Sequence, residues 1–172
     1  MIKIIDNFFN EKDLKMIQDF ALNKAYYTPS FTDENKEKTK ENFYGNRYYL
    51  NNNIELLNLF KNQAEYKFKI KIIDLHQHSS IDQRNLDHFK PHIDTADGTS
   101  TNILIMLYGP TAVTNGTVFY TDSELDIHVG FRENRAVMFP STKFHSQHAS
   151  ITPNLLRYTS TLFLCKYEEV LV

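Results

Sequence analysis

Cysteine is all but missing from this chain of 172 residues: Cys165 stands alone, which excludes an internal disulfide. Long hydrophobic runs are missing as well. The longest, Ile103 to Tyr108, falls far short of the roughly 20 apolar residues a helix needs to cross a bilayer, so no membrane-spanning helix is expected. Nor does one sign of charge dominate. Lys and Arg total 19 against 21 Asp and Glu, which leaves no strong overall field to draw the chain onto nucleic acid or an anionic membrane. The first twenty residues carry Asp6, Glu11, Asp13 and Asp19 where a signal peptide would have an apolar core. A reducing cytoplasm is therefore the expected setting. No internal repeat is visible, and the length suits one domain spanning residues 1–172.

What is present divides into two regimes. Ile2 to Ile5 reads as a short strand. Asn10 then stands as an N-cap before Glu11, Lys12 and Asp13, and Leu14, Ile17, Phe20 and Ala21 recur at helical spacing. Thr32 to Asn42 is wholly polar; it reads as a solvated loop, with a lid over a site as the functional alternative. A second helix is predicted from Ile54 to about Tyr66, with Leu56, Leu57, Phe60 and Ala64 on one face. From residue 67 the period falls to two, with Phe68, Ile70 and Ile72 alternating against lysines. Further strands are predicted near Asn102–Tyr108, Thr117–Tyr120, Ile127–Gly130, Ala136–Phe139, His145–Ser150 and Tyr158–Lys166, between turn signals such as Gly109-Pro110 and Asn115-Gly116. The expected fold is mainly β: a jelly-roll barrel core over 67–172, supported from outside by a helical N-terminal segment and its polar loop over 1–66.

Chemistry concentrates in the strand-rich part. His92-Ile93-Asp94 puts an imidazole and a carboxylate on one face of an extended segment, able to share a metal. His148 follows 54 residues after Asp94, far enough for intervening strands to return the chain to the same end of a barrel. Nine residues further on, Arg157 offers a guanidinium fork suited to a carboxylate. Thr159 and Thr161 follow it at period two, making one inward face polar while Tyr158, Leu162 and Leu164 point the other way. His145 and His148 are separated by an odd number of residues, so an extended strand lets only one of them face a metal. His76-Gln77-His78 repeats the same-face geometry, but no glutamate follows at cupin spacing; pocket lining is the functional reading there and ordinary packing the simpler one.

On these residues the chain resembles the 2-oxoglutarate and iron(II) dependent dioxygenases, in the layout of their prolyl hydroxylase-like branch. The resemblance rests on the leading strand and helix, Phe89 to Asp94, the strand ending at Tyr108, Asn115 to Val118, Ala136 to Ser141, and His148 to Arg157. It implies a double-stranded β-helix in which His92, Asp94 and a distal histidine hold Fe(II). It also implies that 2-oxoglutarate chelates the metal while Arg157, helped by Thr159 and Tyr108, anchors its far carboxylate. The family's spacing to the arginine favours His148 over His145. The expected reaction consumes O2 and hydroxylates a C–H bond of a protein residue, proline among the candidates, or of a small metabolite, releasing succinate and CO2. Gln83-Arg84-Asn85 stands where many relatives carry tyrosine and glycine, so Arg84 and Asn85 join His76 and His78 as candidate substrate residues. Two other classes remain open: a non-catalytic β-barrel binding module, and a zinc hydrolase, which two histidines and a carboxylate would also suit, although no His-Glu-x-x-His helix is present.

Overall fold

The computed structural model describes residues 1–31, 43–85, 91–94, 99–111, 115–122, 124–148 and 156–170, except for the side chains of Tyr44 and Asn85. The polar loop read as a candidate lid lies outside the described residues. In chain order the elements are β1 (Lys3–Ile5), α1 (Glu11–Asp19), β2 (Thr28–Phe31), β3 (Phe43–Tyr49), α2 (Ile54–Phe68), β4 (Ile70–Leu75), β5 (Ser80–Asn85), β6 (Thr101–Tyr108), β7 (Gly116–Thr121), β8 (Glu124–Gly130), β9 (Arg135–Pro140), β10 (His145–His148) and β11 (Leu156–Glu169).

Local chemistry sets the helix boundaries. Asn10 Oδ1 accepts the Asp13 amide at 2.9 Å, which opens α1, and Asn53 Oδ1 accepts the Leu56 amide at 3.0 Å, which opens α2. Helix α2 runs two residues past the expected Tyr66, to Phe68, and ends on Lys69 in the left-handed conformation at φ 56°. Phe68 therefore closes a helix instead of opening a strand, because its ring is drawn into the same core as Phe8, at 6.1 Å between centroids. No helix among the described residues is long and apolar enough to cross a membrane.

All strand pairs among the described residues are antiparallel. The large sheet runs β1-β9-β6-β11-β5-β3-β2, with β4 also on β11, and the small sheet runs β10-β7-β8. A strand stands at each place expected from residue 67 onward; the last two residues of the one expected over His145–Ser150 lie outside the described residues. Three that were not expected, β2, β3 and β5, extend the large sheet, so the segment before residue 67 supplies strands as well as helices. Odd residues of β6 (Ile103, Ile105, Leu107) join Phe60, Ile17, Leu162 and Leu164 in a core beneath the helices. Even residues (Leu104, Met106) join Phe119, Val129 and Phe139 between the two sheets. The fold is thus a jelly roll with helices packed outside one sheet, and its inter-sheet core stops short at one end, where polar side chains replace apolar ones.

Candidate metal centre

The site begins with a backbone pairing. His92 donates its amide to the His145 carbonyl at 2.9 Å, and His145 returns the bond at 2.9 Å, so the two residues face each other across an antiparallel bridge. Residues opposed in this way carry their side chains on the same face, and the two imidazole centroids lie 4.4 Å apart. Asp94, two residues along, falls on that face too. Its carboxylate sits 3.2 Å from His92 Nε2 and 3.3 Å from His145 Nε2. One ligand atom from each of the three lies within 4.8 Å of the others.

This corrects the expected distal ligand. The structure brings His145, not His148, to His92 and Asp94. On β10, His145 and Gln147 face inward and line the cleft, whereas His148 pairs with Gly116 and its ring lies 4.9 Å from that of His128. The odd separation did force a choice between the two. The pairing with His92, which no spacing in the chain reports, decides it.

The surroundings suit a cation. His145 Nδ1 lies 2.9 Å from the Lys143 carbonyl, an acceptor that holds the proton on Nδ1 and leaves Nε2 as the ligand atom. Asn102 on β6 donates Nδ2 to Asp94 Oδ2 at 2.7 Å, orienting the carboxylate from behind. Burial disfavours charge on Asp94, but the flanking His145 and His92 side chains outweigh it and hold the group well below the usual carboxylate range. His92 is shifted down, first by burial and then by repulsion from His145 and Arg84, against the pull of Asp94. A neutral imidazole beside an ionised carboxylate is the protonation state a divalent metal requires. Two imidazoles and one carboxylate on one side of a cleft form a facial donor set that leaves positions open toward the cavity.

That cavity is bounded by the triad and by Arg84, Thr117, Phe139, Gln147, Arg157, Thr161 and Phe163. Arg157 is 2% exposed. It donates Nη1 to Asn115 Oδ1 at 3.2 Å and to the Gly116 carbonyl at 2.9 Å, and its guanidinium carbon stands 5.9 Å from the centre of the Phe131 ring. Gly109, at φ 154°, makes room for its stem, since a Cβ there would come within 3.0 Å of the Arg157 Cβ. Thr161, which shares the inward face of β11 with Arg157, lines the cavity. Thr159 is buried on the same face, paired with Asp82 and Met106; its Oγ1, like Thr117 Oγ1, has no hydrogen-bond partner among the described residues. Such atoms require a ligand or water.

Other expected positions fall elsewhere. Tyr108 is 43% exposed and does not line the cavity. A register shift between Tyr158 and Thr159 pairs Tyr108 with Tyr158, a residue of the core beneath the helices. His76 and His78 sit in the β4–β5 turn, where the His78 ring lies 5.8 Å from Tyr49, away from the cavity. The side chain of Asn85 lies outside the described residues. Thr117, Gln147 and Phe163 are cavity residues that sequence reasoning did not single out. Gln147 would have followed at period two from His145 had that histidine been chosen.

No protein-family model matches the chain, and no curated protein is similar to it in sequence. In fold it is similar to the prolyl hydroxylase of Trichoplax adhaerens solved with a hypoxia inducible factor peptide fragment, with a TM-score of 0.67 and 14% identity over 95% of this chain and 82% of that one. It is also similar to the epimerase SnoN of nogalamycin biosynthesis, solved with Fe3+, alpha ketoglutarate and nogalamycin RO, at TM-score 0.63 and 12% identity over 98% and 78%. A Pseudomonas putida prolyl-4-hydroxylase gives 0.62 and 9% over 95% and 92%. At such identities the likeness is one of fold: the chain shares the architecture of these two prolyl hydroxylases and of the epimerase.

Proposed function

We propose that this protein is an Fe(II)- and 2-oxoglutarate-dependent dioxygenase that hydroxylates a C–H bond of a protein residue, proline among the candidates, or of a small metabolite in the cytoplasm. One observation carries the reading: a His92–Asp94–His145 donor set and the buried guanidinium of Arg157 open into the same cavity of a fold shared with enzymes of this class. His92, Asp94 and His145 would hold the metal. With 2-oxoglutarate bound, iron(II) supplies the oxygen-activating chemistry that couples oxidative decarboxylation, to succinate and CO2, to hydroxylation.

The chain's own residues do the rest. Arg157, fixed by Asn115 and Gly116, presents its guanidinium to the far carboxylate of the cosubstrate, and Thr161 or Thr117 serves the same ligand. Phe139 and Phe163 close the cavity walls against water. Asn102 and Lys143 keep the ligand set from turning. A zinc hydrolase has no use for the inward Arg157 charge, which leaves a binding module as the competing class.

Anaerobic calorimetry of 2-oxoglutarate with the iron(II)-loaded protein tests the proposal. Binding is expected to require metal and to weaken by about 2–5 kcal/mol in Arg157→Ala, the usual loss when one partner of a buried charged pair is removed. Absence of binding to the metal-loaded wild type would refute the oxygenase reading in favour of the binding module.

A further inference from the structure

Gln147 lines the cavity and is only 9% exposed, yet its carboxamide makes no hydrogen bond among the described residues. Its place is set by the backbone of β10, which pairs it with Thr117 of β7. Residues opposed across antiparallel strands share a face, so the Thr117 hydroxyl lies beside it. Thr117 is 2% exposed, and its Oγ1 is also without a partner among the described residues. Two neutral polar side chains thus stand together, buried and unsatisfied. Burial without a hydrogen bond is costly for an amide or a hydroxyl, so both await a ligand.

The strand register locates them. On the small sheet His145 pairs with Phe119, Gln147 with Thr117 and His148 with Gly116, and the Gly116 carbonyl is where Arg157 donates. Gln147 and Thr117 therefore stand between the donor set and the Arg157 guanidinium. The facing wall repeats the order: on β11, Phe163 pairs with Asn102, which holds Asp94, and Thr161 comes between Phe163 and Arg157. A ligand reaching from the metal to Arg157 has to pass between these walls. In a 2-oxo dicarboxylic acid the two ends accept hydrogen bonds, while the middle is methylene and accepts none. The far carboxylate has Arg157 and a threonine hydroxyl. That leaves the carboxylate at the metal end for the two N–H donors of the Gln147 carboxamide. Gln147 lies two residues from His145 on one strand face, roughly 6.6 Å along it, so the strand itself fixes this donor relative to the metal ligand.

We infer that Gln147 is a cosubstrate-binding residue whose carboxamide donates to the metal-end carboxylate of the 2-oxo acid. This rests on the function proposed above and adds the residue that orients the reacting end of the cosubstrate. Arg157 at one end and Gln147 at the other then fix the direction in which the acid lies.

The test uses Mn(II)-loaded protein and two ligands that share one end. N-oxalylglycine, an unreactive analogue of 2-oxoglutarate, carries both carboxylates and is followed by calorimetry; 13C-labelled pyruvate carries the 2-oxo acid end alone and is followed by its paramagnetic relaxation. Gln147→Met keeps the length of the side chain and removes its donors. It is expected to weaken both ligands by a similar factor, roughly 10–100-fold, the worth of a hydrogen bond to a charged group, with Mn(II) affinity as in wild type. Gln147→Glu, which turns a negative charge toward the carboxylate, should lose more. Arg157→Ala should weaken N-oxalylglycine and spare pyruvate. Binding unchanged in both Gln147 variants, a loss confined to N-oxalylglycine, or a loss that merely follows a fall in Mn(II) affinity overturns the inference. N-oxalylglycine that fails to bind wild type strikes at the oxygenase reading, and the inference falls with it; N-oxalylglycine that binds wild type and is indifferent to Gln147 strikes at the inference alone.

Discussion

Replacing Asp82 by asparagine removes one negative charge and changes almost nothing in volume. Asp82 is 1% exposed and receives Arg47 Nε, Arg47 Nη2 and Arg84 Nη2 at 2.7, 3.3 and 2.7 Å, with Ser80 Oγ at 3.2 Å. An asparagine can accept at one oxygen only, and it turns an amide N–H toward a guanidinium. Two buried cations then lose their shared partner. Breaking a buried pair from one side costs about 3–5 kcal/mol, and for a chain of this length about 2–4 °C is lost per kcal/mol, so the melting temperature is expected to fall by roughly 6–20 °C at neutral pH. The pH dependence follows from the same contacts. Burial alone would raise the Asp82 pKa, but the two guanidiniums hold it below its ordinary 3.8. Its contribution is therefore fully present above that value and is lost as pH falls through the lower folded-state pKa. The gap between wild type and Asp82→Asn should be constant above about pH 5 and should narrow below pH 4. Differential scanning calorimetry from pH 3 to 8 measures both. A loss under about 1 kcal/mol, which is the scale of an exposed pair, would refute the claim that this carboxylate is the buried counter-ion of two arginines.

Two further outcomes test the centre and its scaffold. Titration of Mn(II) followed by electron paramagnetic resonance should show His145→Ala losing site-specific binding by more than the ~10–100-fold typical of a supporting residue, with His148→Ala close to wild type; the reverse ranking would restore His148 as the ligand. Asn134 holds a left-handed conformation at φ 65° while its side chain bonds both Phe9 N and Phe9 O, at 2.7 and 2.8 Å. Urea unfolding should give Asn134→Ala a loss of about 3 kcal/mol or more, from two buried groups left unpaired and an unfavourable backbone. Asn134→Gly should recover about 1 kcal/mol of it, and equal losses would show that the backbone conformation contributes nothing.

Of the strands missed in the sequence, β5 is instructive because it carries Arg84 to the cavity wall. Strand β5, Ser80-Ile81-Asp82-Gln83-Arg84-Asn85, does alternate, but its inward residues are Ser80, Asp82 and Arg84 and its neighbour β3 contributes Arg47. Hydrophobic periodicity finds a strand by the apolar face it buries, and a strand that buries charge against charge carries no such signal. By contrast β6, β9 and β11 were legible because both faces meet apolar layers or alternate cleanly between them. Tyr108 shows a second limit. Parity along β6 from Leu104 and Met106 directs it inward, yet one extra residue on β6 opposite Tyr158 and Thr159 turns it out, and bulges of this kind leave no mark in composition.

The distal histidine marks where local reasoning ends and pairing begins. Parity along the strand reduces the choice to His145 or His148, and an interval counted to Arg157 then favours His148, whereas the structure brings His145 to His92 and Asp94. What settles the matter is mutual: the His92 segment bonds to His145 through both amides, and the same bridge that closes the edge of the small sheet brings the two imidazoles to one face. The fold and the candidate metal site are therefore one structure here. A substitution that disturbs the His92–His145 bridge without touching either ring, such as Ile93→Pro, which inserts a ring and fixes φ between the two ligands, should weaken metal binding and loosen that edge together.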